Sequence, residues 1–275
     1  MQEIPQESFD RDRMPFVAPC RTLSPLAPFG WLRAGFRDLR RAPRESLLYG
    51  LFMALIIAVV SGLAWRFGTH WLMLAMLGGF VFIAPLTCIG LYAISAQLER
   101  DQPVSLIRTL RAALRRHLSN EMVFALALLV LFLVWARAGA MVSVFFPESG
   151  NPGFADLATY LAVGTMVGAV FAVVTFSASA FSLPMIMHRD VDSVTAIVTS
   201  INAVLRNKRA MIVWLSLIVA GLVLGVATAF IGLIVILPVI GFGAWHGYLE
   251  TIDAEAFPRH SVGITATPRP RQDEP

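Results

Sequence analysis

Charge is scarce in this chain. Charged residues make up 15% of its 275 positions and hydrophobic residues 57%, whereas an ordinary soluble domain carries roughly a quarter charged residues. With so little charge and long apolar blocks, a soluble globular domain is excluded. Lysine is nearly absent, Lys208 being the only one, and cysteine is limited to Cys20 and Cys88. One cysteine falls in an N-terminal tail and the other inside an apolar block, so no disulfide framework is indicated. The chain also lacks a Walker A loop, H-E-x-x-H, C-x-x-C and a nucleophile elbow, which removes the common soluble catalytic classes. Gly241-Phe242-Gly243 has no βαβ context and is not a dinucleotide fingerprint. No enzyme activity and no cofactor are expected. A cleaved signal peptide is not expected either, because about 45 mostly polar residues precede the first apolar run.

The blocks themselves are each near the roughly 20 residues that cross about 30 Å of hydrocarbon. They predict an all-α, polytopic transmembrane bundle of six spans at about Leu47–Trp65, Trp71–Ala96, Met122–Phe145, Leu157–Leu183, Met211–Ala229 and Ile231–Leu249. Residues 1–29 and 253–275 read as flexible cytoplasmic tails around a membrane domain at 30–252, since proline and mixed charge leave little apolar surface to offset ordering entropy. Basic residues collect in alternate connections: Arg11 to Arg44, Arg100 to Arg116, Arg189 to Arg209, and the C-terminal arginines. By the positive-inside rule this places both termini in the cytoplasm, in a bacterial inner membrane. The net charge of +4 thus reports topology, and no nucleic-acid partner is expected. One competing reading joins the last two spans into a single helix broken at Pro238. It gives five crossings and an external C-terminus.

Ahead of spans one, three and five runs a similar amphipathic stretch: Leu32, Gly35, Leu39, Arg40, Arg41; then Ile107, Leu110, Leu114, Arg115, Arg116; then Val198, Ile201, Leu205, Arg206, Asn207, Lys208. The pattern predicts interfacial helices in three repeats of helix plus membrane hairpin. Arg40, Arg41, Arg115, Arg116, Arg206 and Lys208 are the candidates for anionic lipid headgroups, at about 1 kcal/mol each near the surface.

Few residues carry chemistry. Arg137 is an ionisable side chain within a span, and by depth it snorkels to the outer headgroups or lines a pathway. Glu148 and Asp156 are its candidate partners. Thr175 and Ser177, in a span also containing Gly164, Gly168, Ser179 and Ser182, permit helix packing or a polar conduit. Pro184, with Pro85 and Pro238, frees backbone carbonyls and allows kinks. The histidines are His70, His117, His188, His246 and His260, all placed at span ends, loops or a tail. His246 next to Trp245 reads as an interfacial pair, and no histidine pair at i, i+4 supports a metal site.

Several segments taken together resemble a known family: WLRAGFRDLRRAP at Trp31–Pro43, GLYAIS at Gly90–Ser95 followed by QLER at Gln97–Arg100, VDSVTA at Val191–Ala196, and Leu237-Pro238 with Trp245-His246. They look like family 2189 of the domain-of-unknown-function series, bacterial integral membrane proteins, over about Trp31–Ile252. The resemblance implies a membrane fold and no established activity. Members often carry histidine where this chain has Phe242, which weakens a paired-histidine haem site. The expected function is a structural, assembly or lipid-interacting membrane component, with the bilayer, anionic headgroups, other membrane proteins or a second copy as partners. The alternatives are a small-solute transporter or channel and, with less support, a haem or copper oxidase-associated protein.

Overall fold

The computed structural model describes residues 15–67, 82–105, 119–142 and 153–258. Within them the chain is all-helical: α1 (Ala27–Arg41), α2 (Pro43–Phe67), α3 (Ile89–Glu99), α4 (Ser119–Val142), α5 (Phe154–Ser179), α6 (Ser182–His188), α7 (Ser193–Arg206), α8 (Lys208–Ala227) and α9 (Leu233–Thr251). Six stretches are long and apolar enough to cross a membrane: Pro43–Phe67, Phe82–Glu99, Glu121–Val142, Ala158–His188, Lys208–Ala227 and Leu233–Thr251. The protein is an integral membrane protein of several spans. The start expected for span two, at Trp71, lies outside the described residues.

The five-span reading is overturned at the turn between α8 and α9. Ala229 and Phe230 both take positive φ, 51° and 69°, and the Thr228 hydroxyl accepts from the Gly232 N–H at 2.9 Å. Two consecutive left-handed residues cannot continue a right-handed helix. Pro238 instead sits inside α9, where it offers no N–H to the Ile234 carbonyl. Gly50 of α2 packs directly on that carbonyl, and a β-carbon there would collide with it.

The span expected at Leu157–Leu183 is not one rod. It stops at Ser179 and restarts at Ser182 as α6. Ser200 of α7 spans the break, its hydroxyl donating to the Ser177 carbonyl at 2.8 Å and accepting from the Phe181 N–H at 3.1 Å. A side chain therefore supplies the hydrogen bonds that an interrupted helix leaves open.

A smaller cluster of Ala54, Ile57 and Leu233 joins α2 to α9, and the largest core cluster among the described residues lies at one end of the bundle. There the C-terminal halves of α3 and α9 meet α1, α6, α7 and the first turns of α4 and α8, burying Trp31, Tyr92, Phe124, Phe181, Trp214, Trp245 and Tyr248. Trp31 touches three other elements. It lies edge-on to Phe181 and Trp214, with ring centroids at 6.2 and 5.4 Å, and it packs on Gly247 of α9. Toward the other end α2, α4, α5 and α8 expose Leu55, Leu63, Leu133, Leu161 and Val223. Lipid is the solvent that suits such faces. We call the crowded end the basic end, because Arg41 there pairs with Asp101 at 2.6 Å and Arg33, Arg37, Arg40, Arg44, Arg206, Lys208 and Arg209 are exposed around it.

Helix α1 departs from the expected role of a helix resting in the headgroup layer. Its apolar face, Pro28, Trp31, Gly35, Asp38 and Leu39, is buried against protein, chiefly α9. Gly35 allows the crossing, since a β-carbon would collide with the Val239 carbonyl. Helix α7 is built alike. Its Ser193, Ala196, Ser200, Ala203 and Val204 are buried, but one residue out of the expected register, since Leu205, expected to match the buried Leu39, is exposed; a single residue, Asn207 as Ala42 in α1, separates it from the following span. The middle unit expected around Leu114, Arg115 and Arg116 lies outside the described residues.

Part of the expected N-terminal tail is also tied down. The Leu23 N–H donates to Asn207 Oδ1 at 2.8 Å and Asn207 Nδ2 to the Arg21 carbonyl at 3.0 Å. The Ala18 N–H reaches the Thr199 hydroxyl at 3.1 Å, and the Asp253 N–H the Pro19 carbonyl at 2.9 Å. The signal for this strap was Asn207 itself, the one residue that breaks the repeated basic step.

Candidate functional site

At the basic end the crossing of α1 and α9 buries a carboxyl group. Asp38, 3% exposed, occupies the apolar stripe of α1 one turn beyond Gly35, so the helix that is drawn onto α9 by Trp31 and Leu39 carries Asp38 in with it. One oxygen, Oδ2, serves two other elements. The Ser95 hydroxyl of α3 donates to it at 2.5 Å, and His246 Nε2 of α9 lies 2.8 Å away. Three helices remote in sequence are thereby joined at one atom.

The composition of this knot resembles a hydrolase triad, but its connectivity does not. In a catalytic triad the serine gives its proton to the imidazole and the carboxylate orients the imidazole from the far side. Here Ser95 and His246 both address Asp38, and serine is left without a base. What the arrangement does is satisfy a buried carboxyl group while locking α1, α3 and α9 in register.

Around it the aromatic rings carry polar tips to water. Trp31 Nε1 donates to Glu250 Oε2 at 2.7 Å and Trp245 Nε1 to Glu99 Oε2 at 3.2 Å, both carboxylates being exposed. On the opposite side of Trp245, His188 is buried edge-on to its ring at 5.6 Å, with Nδ1 3.0 Å from the Tyr248 hydroxyl. Tyr92 stacks on Trp245 at 6.5 Å. No group of three or more histidine, cysteine, aspartate or glutamate side chains is placed to hold a metal among the described residues.

The sequence candidates scatter over the molecule. His246 is in the knot, half-buried, with its side chain 21% exposed. Arg40, Arg41, Arg206 and Lys208 are exposed at the basic end, Arg40 lying over the Phe36 ring at 4.5 Å; Arg115 and Arg116 lie outside the described residues. Arg137 is exposed near the far end of α4. Glu148 lies outside the described residues, as does the side chain of Asp156. Thr175, Ser177 and Pro184 cluster at the α5–α6 break, all buried. There the Ser179 hydroxyl donates to the Thr175 carbonyl at 2.7 Å and the Ser182 hydroxyl to Ala178, while Thr175 Oγ1 has no hydrogen-bond partner. Asp38, Ser95, Glu99, His188, Tyr248 and Glu250 are the residues that sequence reasoning missed. Asp38 had a signal, a carboxylate in the middle of an apolar helical stripe.

Outside the spans, Cys20 sits between the N-terminal strap and α7. Burial pushes its thiol above the ordinary range, and a hydrogen bond from Asn202 together with the Arg206 charge oppose that shift.

Comparison with known families supports the membrane reading. A family model described as predicted integral membrane protein, number 2189 of the domain-of-unknown-function series, matches residues 72–188. That stretch contains the Gly90–Arg100 motif; the Trp31–Pro43, Val191–Ala196 and Trp245-His246 segments lie outside it. No curated protein and no solved structure matches the chain.

Proposed function

We propose that this multi-span membrane protein is a non-enzymatic component of the bacterial inner membrane whose basic end binds anionic lipid headgroups on the cytoplasmic side, with both termini there. The observation that carries the reading is the division of labour at that end. Inner-facing polar groups such as Asp38, Ser95 and His246 are spent on one another, while the outer face of α1 and the α7–α8 junction leave Arg33, Arg37, Arg40, Arg206, Lys208 and Arg209 exposed. Cations at this level meet phosphate headgroups, each contributing about 1 kcal/mol, and their retention on one side agrees with the positive-inside rule. The likeness of α1–α2 to α7–α8 supports a repeated unit of amphipathic helix plus span. Transport of a small solute is a second reading, drawn from the bare hydroxyl of Thr175 beside the α5–α6 break.

The test is lipid retention. Protein extracted in mild detergent and examined by native mass spectrometry is expected to carry phosphatidylglycerol in preference to phosphatidylcholine, and the variant R40Q/R41Q/R206Q/K208Q to lose most of that preference while keeping its elution volume and helicity. An unchanged preference in a folded quadruple variant would sink the proposal.

A further inference from the structure

On the lipid-facing side of α4 a shallow groove of about 490 Å³ runs between α4 and α5, from Val123 and Leu126 near the basic end through Ala127 and Val130 to Val134 toward the far end, with Phe171 of α5 on its other side. Val123, Ala127, Val130 and Val134 follow one another at helical spacing along a single face. Arg137 continues that face one turn further on, about 4.5 Å beyond Val134 along the axis, and is exposed.

Depth fits the pair of features to one ligand. Arg137 stands about 24 Å beyond Glu121, where the apolar stretch begins, at 1.5 Å per residue, in the far part of the roughly 30 Å of hydrocarbon. From Arg137 back to Ala127 is about 15 Å, half the bilayer, the reach of one leaflet's acyl chain. A guanidinium presents a planar donor fork to phosphate, and the apolar wall below it has no polar requirement of its own.

We infer that the α4–α5 groove is a binding site for one anionic phospholipid of the leaflet opposite the basic end, with its phosphate on Arg137 and one acyl chain lying along Val134, Val130 and Ala127 against Phe171. The site is separate from the basic end, so the two stand or fall apart.

Nanodiscs containing equal phosphatidylglycerol and phosphatidylcholine supply the probe, with lipids retained on release counted by native mass spectrometry. The wild-type chain is expected to hold one more phosphatidylglycerol than Arg137→Gln. Val130→Trp, which fills the groove from a position half exposed to lipid and so not packed in the core, is expected to lose that same single lipid. Arg66→Gln, which removes the exposed arginine in the last turn of α2, should leave the count unchanged. Equal counts for wild type and Arg137→Gln, or retention of phosphatidylcholine in place of phosphatidylglycerol, would overturn the inference, as would a Val130→Trp protein that keeps the lipid. Loss in the quadruple basic-end variant with the Arg137-dependent lipid intact is the pattern expected if both sites exist.

Discussion

Replacing Asp38 with alanine removes the shared acceptor of two donors. Ser95 is 1% exposed, so its hydroxyl is stranded and bears most of the penalty of roughly 1–3 kcal/mol for an unsatisfied buried group. The His246 side chain is 21% exposed and can turn toward water, which places its loss at the low end of that range. Together they put Asp38→Ala at about 2–4 kcal/mol. For a chain of this size a kilocalorie is worth roughly 2–4 °C in midpoint, so thermal unfolding in detergent, followed by tryptophan fluorescence, should shift downward by on the order of 5–15 °C. A double-mutant cycle isolates the cause. Ser95→Ala should cost about 1 kcal/mol in the wild-type background and nothing, or a slight gain, once Asp38 is gone. Asp38→Asn, which keeps an acceptor oxygen, should recover much of the loss. A shift below about 2 °C for Asp38→Ala, or a Ser95→Ala penalty that is the same in both backgrounds, would refute the knot as a stabilising element.

Two further outcomes follow from local geometry. Ala229, exposed and left-handed at φ 51°, should accept glycine with a gain of about 1 kcal/mol, read as a raised unfolding midpoint; a lowered one would mean that the turn is not built as described. In a Cys88→Ala background, Cys20 should alkylate slowly at neutral pH, because burial holds the thiol protonated and only the thiolate attacks. Its rate should rise at higher pH than that of an unfolded control. Asn202→Ala, which deletes the hydrogen bond opposing that shift, should move the profile higher still, and a profile matching the control would contradict the buried setting.

The spans were legible because each needs only one property, sustained apolarity over a bilayer's thickness, and composition records that directly. The turn at Thr228–Gly232 was legible for the same reason: two adjacent apolar blocks were too long for one crossing. The break before α6 was not, since the serines that satisfy it act through Ser200, a residue on another helix. Helix α1 shows where the amphipathic pattern runs out. An apolar stripe has the same sequence signature whether it faces acyl chains or another helix; only Gly35 and Asp38 on that stripe told against lipid, one by admitting a backbone and the other by needing partners. Those partners, Ser95 and His246, lie in distant segments whose local patterns carry no trace of the pairing. Exposed arginines, in contrast, were read where they stand, because charge near a span end answers to the membrane and not to a tertiary neighbour.

The crowding of the core at one end has a consequence for the bilayer itself. Among the described residues the largest cluster ties α1, α3, α6, α7 and α9 together at the basic end, while a smaller one, Ala54, Ile57 and Leu233 with Leu222, Phe230, Ile234 and Leu237, joins α2, α8 and α9 toward the other. Membranes differ in hydrocarbon thickness by several ångströms, and a mismatch costs fractions of a kilocalorie per ångström unless helices tilt to absorb it. Helices α4 and α5, which contribute nothing to that smaller cluster or to the Asp38 knot, can take up tilt without disturbing either, so the face they form toward the far leaflet should follow the thickness of the membrane that holds the protein.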